Sequence, residues 1–193
     1  MRPVYEVIVI GSGFGGSLTA IVLSTLGQRV AVLDHATHPR FAVGESSTPI
    51  ADQALLRLAE RYGLDWLRPI HQYGTAKQIP GITVGAKRGF SYFQHIRGQP
   101  FRSGDAHEHE LLVAASSDEF TSDTHWHRAT VDHWFAKQLS AHGVDLFAGF
   151  EIHKLRSGSN PRWTIDGTRR ASPMSLAGNF LIDASGRRGV VLE

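Results

Sequence analysis

A glycine-rich turn between a short β-rich run and a helical run constrains this chain more than any other feature. Tyr5-Glu6-Val7-Ile8-Val9-Ile10 reads as a strand and ends in Gly11-Ser12-Gly13-Phe14-Gly15-Gly16. A helix is predicted from Ser17 to Leu26, with Leu18, Ile21, Val22 and Leu26 roughly one turn apart. Gly27 ends it, and Gln28 to Leu33 reads as a second strand that closes at Asp34. The whole is a βαβ unit of about 30 residues. Gly11, Gly13 and Gly16 fit G-x-G-x-x-G. In that pattern Gly11 permits the tight turn, Gly13 lets the backbone approach a pyrophosphate, and Gly16 lets the helix pack close to the sheet. The pyrophosphate rests on free N–H groups at the helix start. Gly11 to Gly16 is therefore the expected cradle, and Asp34 stands where an acid accepts bonds from ribose hydroxyls. Ala20 supplies a small residue at the helix–sheet contact. The alternative is a glycine-rich turn in an α/β protein that binds no nucleotide.

The chain has 193 residues, room for one domain or slightly more. Hydrophobic residues at 41% and charged residues at 20% describe a globular protein and argue against disorder. Twenty basic and 18 acidic residues leave a formal charge of +2, too small an excess to point to nucleic acid. Cysteine is absent, which removes disulfides, thiolate metal sites and a cysteine nucleophile, and a cytoplasmic location is expected. No apolar run approaches the roughly 18–20 residues that span a bilayer. Val7-Ile8-Val9-Ile10 is too short for the core of a signal peptide.

A second glycine-bearing stretch, His38-Pro39-Arg40-Phe41-Ala42-Val43-Gly44-Glu45-Ser46-Ser47-Thr48-Pro49, leads into another helix. Thr48 suits the N-cap, Pro49 the first helical position, and Asp52 the acidic first turn. Ile50, Ala54, Leu55, Leu58 and Tyr62 are expected on its buried face, with Gly63 as the stop. Taken alone this is a capped helix after a loop. Here, however, the sequence resembles flavoproteins of the glutathione-reductase type. Within them it is similar to the flavin-dependent, tryptophan-type halogenases, which carry a segment like Pro39 to Ser46 after the second strand. Aromatic hydroxylases and geranylgeranyl-reductase-like enzymes are relatives. The resemblance runs in order along most of the chain, strongly in a few patches. It implies FAD as cofactor, with Arg40, Glu45 and Ser46 along it and near the isoalloxazine. The family more often has Glu where Asp34 stands.

Arg128 to Phe135 opens a further helix, with Val131, Phe135 and Leu139 at i, i+4 and i+8 and Gly143 closing it. Read locally, Arg128 and Asp132 make a helix pair. The resemblance implies instead that Arg128 approaches the FAD phosphates or ribityl side. Val144 to Phe150 is expected as a strand, and Glu151–Leu155 and Arg162–Asp166 as a meander around Ser157-Gly158-Ser159-Asn160-Pro161. Phe180-Leu181-Ile182-Asp183-Ala184-Ser185-Gly186 reads as a buried strand ending in a small-residue turn. That turn lets backbone pass close to cofactor or first helix. The resemblance makes it the strand returning to the FAD domain, with Asp183 at the cofactor.

Family halogenases use reduced FAD and oxygen to oxidise halide, and a lysine directs the oxidised halogen onto an electron-rich substrate. An ammonium suits that task because it donates a hydrogen bond, and burial lowers its pKa. The resemblance places this lysine at the start of a strand followed by glycine and aromatics. Lys87, before Gly89-Phe90-Ser91-Tyr92-Phe93, fits better than Lys77. The plain alternative is a solvent-facing lysine. Phe90, Tyr92, Phe93, Trp126, Trp134 and Phe135 are candidates for an aromatic pocket or simply for core. His107-Glu108-His109 and His125-Trp126-His127 place histidines on common strand faces, but no His-Glu-x-x-His occurs and no metal site is assigned.

The expected fold is α/β, a Rossmann-like FAD-binding domain with inserted β-meander and substrate-domain strands, incomplete at the C-terminus. Residues 1–65 form the first part of the FAD domain, 66–125 a partial substrate-domain insertion, and 126–193 the helix, meander and return. The family's later Gly-Asp turn and Trp-x-Trp-x-Ile-Pro segment do not occur, so the chain reads as the N-terminal portion of a longer enzyme. The expected function is FAD-dependent halogenation of a small aromatic substrate, with a separate flavin reductase as partner. An FAD hydroxylase, a geranylgeranyl-reductase-like enzyme, an NAD(P) Rossmann domain and a non-catalytic nucleotide-binding module or half of a split protein are the alternatives.

Overall fold

The computed structural model describes residues 4–114, 116–187 and 189–191. By their contacts the residues divide into two units, Met1–Val43 with Arg128–Glu193, and Gly44–His127. The first holds a six-stranded sheet. Its strands are β1 (Val4–Ile10), β2 (Val30–Asp34), β7 (Asp145–Ala148), β8 (Phe150–Ser157), β9 (Trp163–Arg169) and β10 (Ser172–Asp183). Their order is β7-β2-β1-β10-β9-β8, with β7, β2, β1 and β10 parallel and β8 and β9 antiparallel. Central parallel strands are covered on both faces, so they read as continuous apolar runs. All of β2 is buried for this reason.

Helix α1 (Phe14–Thr25) and helix α4 (Arg128–Ala141) pack on each other and against this sheet. Phe14 meets the Phe135 ring edge-on at 4.6 Å between centroids. Val131, Phe135 and Leu139, the predicted stripe, are fully buried. Another core cluster joins Tyr5, Ile8, Ala31, Leu33, Phe150, Ile165 and Leu176. The run expected as one strand over 144–150 is instead split: Gly149 takes φ 69°, ending β7 and opening β8. Strand β10 also begins earlier than expected, at Ser172. It pairs with β9 through a two-residue turn, Arg170-Ala171, both with positive φ. Neither is a turn-favouring residue.

The second unit holds helix α2 (Pro49–Tyr62), a 3-10 turn (Asp65–His71) and the short helix α3 (Tyr73–Ala76). Two antiparallel ribbons accompany them, β3 (Val84–Lys87) with β6 (Asp123–Trp126) and β4 (Phe90–Phe93) with β5 (Glu110–Val113). The α2 caps are as the sequence predicts: the Thr48 hydroxyl accepts from the Ala51 N–H at 3.3 Å, and Gly63 is left-handed at φ 64°. The helix face is not. Ile50 is 81% exposed and Ala54 is exposed, while Asp52, Leu55 and Ala59 form the buried stripe. Leu55 is inward as expected, but a carboxylate shares its row, which hydrophobic periodicity alone does not select. By its contacts α2 also falls in the second unit rather than with residues 1–43.

Candidate functional site

In the first unit the glycine loop is built as its pattern requires. Gly11 takes φ 104°, and a Cβ there would lie 2.3 Å from the Ala184 carbonyl oxygen. A Cβ on Gly16 would lie 2.0 Å from the Gly11 oxygen and 3.2 Å from Ala184 Cβ. The small-residue turn after β10 therefore packs on the glycine loop and the start of α1. Gly13, the N-cap of α1, is different: its Cβ would stand in ordinary contact with Arg40 Nη2 at 3.4 Å, Asp132 Oδ2 at 3.6 Å and Arg128 Nη2 at 3.8 Å. Two guanidinium groups thus converge beside exposable backbone at a helix start. A Cβ on Gly15 would meet nothing within 4 Å.

Asp34 closes β2 and holds the loop. Its Oδ2 accepts from the Ser12 N–H at 2.8 Å, the Ser12 hydroxyl at 2.6 Å and Arg40 Nη2 at 3.3 Å. Its Oδ1 accepts from the Ala36 N–H at 2.9 Å. Burial alone would push the Asp34 carboxyl up, but the Ser12 and Ala36 bonds and the Arg40 charge outweigh it and hold it below the ordinary range. A carboxylate offers about four lone-pair sites, so Oδ1 keeps acceptor capacity. A cavity of ≈ 350 Å³ opens beside it, lined among others by Gly11, Asp34, Arg40, Phe150 and Ser185. That volume lies within the usual range of small-molecule sites.

His38, which the sequence analysis did not single out, locks the same loop. Its Nε2 lies 2.8 Å from the Ser12 hydroxyl and 3.1 Å from the Ser12 carbonyl oxygen. A carbonyl only accepts, so Nε2 carries the proton and the Ser12 hydroxyl gives its own to Asp34. Burial, then the neighbouring Arg40 charge, pushes His38 below the ordinary histidine range, consistent with a neutral ring. No periodicity or spacing signal marks such a residue.

Arg128 opens α4 and meets Asp132 through Nε at 2.7 Å and Nη2 at 3.0 Å. Its Nη1 donates to the Val43 carbonyl at 2.8 Å. The helix pair and the position beside Gly13 coexist, because a guanidinium has five donors. Asp132 is fully buried. Asp132→Ala is expected to destabilise the chain by roughly 3 kcal/mol, the low end for breaking a buried pair, since Arg128 is partly wet. A lowered urea midpoint would measure it. Asp183 does something local: it accepts from the Ser185 N–H and hydroxyl and from the Val190 and Val191 N–H groups. Burial raises the Asp183 carboxyl, and these bonds bring it down to about 2. Its carboxylate orders the turn that packs on Gly11.

In the second unit, the segment after Gly44 runs beside β6. The Glu45 carbonyl accepts from the Trp126 N–H at 2.7 Å, and Ser46 bridges to His125. Both side chains stay exposed. Lys87 ends β3 rather than starting a strand, and it is 5% exposed, not solvent-facing. Its ammonium donates to the Ser47 carbonyl, lies 3.9 Å from Asp123 Oδ2, and sits 3.5 Å from the Phe90 ring centroid. Burial pushes Lys87 down, against the upward pull of Asp123 and Asp52. Among the described residues no group of three or more histidine, aspartate or glutamate side chains is gathered to hold a metal. No helix among them is long and apolar enough to cross a membrane.

Residues 9–79 match the model of the NAD(P)-binding Rossmann-like domain. The halogenase PltM, solved in complex with phloroglucinol and FAD, superposes with a TM-score of 0.75 at 26% identity. The match covers 97% of this chain and 35% of that one. The fold is that of the flavin-dependent halogenases. Monodechloroaminopyrrolnitrin halogenase PrnC of Pseudomonas fluorescens is 26% identical over 95% of this chain and 31% of its own. Tetracycline 7-halogenase of Kitasatospora aureofaciens is 26% identical over 97% of this chain and 32% of its own. The chain thus spans about a third of the length of these curated relatives.

Proposed function

We propose that this chain forms the FAD-binding portion of a halogenase of the glutathione-reductase flavoprotein type, acting on a small, electron-rich aromatic substrate. The observation that carries the reading is the convergence of Arg40 and Arg128 on Gly13 at the N-terminus of α1. Arg40 Nε is buried there without a hydrogen-bond partner. A diphosphate supplies the missing acceptor and the negative charge that both guanidiniums and the helix start favour. The residues present therefore fit FAD: Gly11 to Gly16 cradle the diphosphate, Arg40 and Arg128 flank it, and Asp34 Oδ1 receives a ribose hydroxyl beside the cavity. Phe14 and the Asp183 turn hold the cradle's shape. Glu45 and Ser46 are assigned to the flavin on the likeness of Pro39 to Ser46 to the halogenase segment. The halogenase relatives, one solved with FAD, favour flavin over the nicotinamide named in the matched domain description.

When bound and reduced, FAD supplies the oxygen chemistry that oxidises halide. Lys87 is the residue assigned to deliver the oxidised halogen. Its ammonium has three N–H groups, of which Ser47 takes one, and it is screened from bulk water. A hydrogen bond from it orients the oxidant and withdraws electron density from it. A separate flavin reductase supplies the reduced cofactor, and the absence of cysteine suits a cytoplasmic setting.

The purified chain is expected to take up FAD and absorb near about 450 nm, the flavin's own band. In the enzyme that carries this portion, Lys87→Ala is expected to lose halogenation by at least about 100-fold, the scale of removing one stabilising donor, with FAD uptake unchanged. Product mass spectrometry with chloride or bromide reads it. Wild-type halogenation by Lys87→Ala would remove the role assigned to Lys87, and a hydroxylated product from the unsubstituted enzyme would replace the halogenase assignment with a monooxygenase.

A further inference from the structure

We propose that Asp52 and Asp123 are a proton-sharing carboxyl pair that positions Lys87 and sets its charge. The inference rests on the reading of Lys87 as the halogen-directing ammonium, and it adds positioning residues to that reading. Asp52 comes from the first turn of α2 and Asp123 from the start of β6, directly across the ladder from Lys87. All three are at least nine-tenths buried. Asp123 Oδ2 lies 3.9 Å from Lys87 Nζ, an ion pair without a hydrogen bond. Asp52 joins this group through Ser47, and Asp123 is its charged neighbour. Asp52 Oδ2 accepts from the Ser47 hydroxyl at 3.4 Å, and that hydroxyl accepts from the Thr124 N–H at 2.8 Å. No donor reaches buried Asp52 Oδ1.

Two ionised carboxylates are both acceptors, so neither can satisfy the other. One proton between them converts the contact into a hydrogen bond and leaves a single negative charge. That charge balances the one positive charge of Lys87, so the buried cluster is neutral. Without it, burial drives the amine toward its neutral form, which has lost a donor. With both acids ionised, the cluster carries an uncompensated buried charge. The charges acting on Asp52 are Asp123 and Lys87, and those acting on Lys87 are Asp123 and Asp52. Burial, then the Asp123 contact, pushes Asp52 up to about 7, while Ser47 and Lys87 pull the other way.

The test uses the 193-residue chain with 13C-labelled aspartate and 15N-labelled lysine, read by NMR across pH. The wild type is expected to show a carboxyl step near about 7, mirrored in the Lys87 Nζ shift. Asp52→Asn, which copies the protonated partner, is expected to abolish both steps. Asp123→Asn is expected to move the Asp52 step down by at least about one unit, a tenfold change in proton affinity. A buried group with no proton shared would give no mirrored step at lysine. An Asp52 midpoint in the ordinary range, about 3.9, or a Lys87 signal flat through the step, overturns the proposal. If Asp123→Asn does not fold, the wild type and Asp52→Asn decide.

Stability gives a second readout. A carboxyl whose folded value is raised holds its proton more tightly in the folded state. Its stabilisation is therefore full below the unfolded value of 3.8 and is lost as pH rises through about 7. The wild-type urea midpoint should fall between about pH 4 and pH 7, and the Asp52→Asn midpoint should lack that fall. Neither readout needs FAD or halide. An active Lys87→Ala enzyme would thus remove the halogen-directing role of Lys87 while leaving the pair standing, and a missing step would do the reverse.

Discussion

Gly16→Ala is expected to destabilise the sheet-bearing unit by about 3 kcal/mol or more, lowering its melting temperature by roughly 6–12 °C. The added Cβ would lie 2.0 Å from the Gly11 carbonyl oxygen and 3.0 Å from its carbon. Both are backbone atoms, so no side chain can swing aside. Gly11 is itself pinned, because the Ala184 carbonyl lies where its own Cβ would be. Relief therefore requires α1 to slide along β1, which disturbs the Phe14–Phe135 contact and the buried stripe of α4. Circular dichroism melting reads the effect. A Gly16→Ala chain melting with the wild type would mean that α1 does not pack as closely as described.

Gly13→Ala should do the opposite: change stability by less than about 1 kcal/mol, while weakening FAD binding by about 100-fold, or ~2.7 kcal/mol. Gly13 has φ −69°, a conformation open to any residue. Its Cβ would meet only ordinary contacts with Arg40, Asp132 and Arg128. The methyl group therefore fits the protein, and what it fills is the approach of the diphosphate to the backbone. Flavin fluorescence quenching and melting, measured on the same sample, separate the two glycines. If Gly13→Ala binds FAD as tightly as the wild type, the diphosphate does not rest on the start of α1, and the cofactor assignment fails with it.

The two glycines show how much of the site is legible in a sequence. Spacing on either side of a turn encodes steric requirements that neighbours along the chain impose, and Gly11, Gly16, Thr48 and Gly63 all meet theirs. The same holds for the α4 stripe. His38 carries no such mark, since it acts through partners brought to it by folding. The Arg170-Ala171 turn is another case: pairing of β9 with β10 holds two ordinary residues at positive φ.

The amino-acid order by itself determined the βαβ start, the acid at the end of β2 and the helix caps. These are short-range matters of backbone sterics, capping and pattern. Only the tertiary structure decided that α2 turns Asp52 inward, that Asp123 faces Lys87 across a ladder, and that Asp183 serves its own loop. Burial and pairing of charge depend on which distant segments meet. A carboxylate in a helical stripe looks like a solvated residue until the opposing ammonium and second carboxyl are in place.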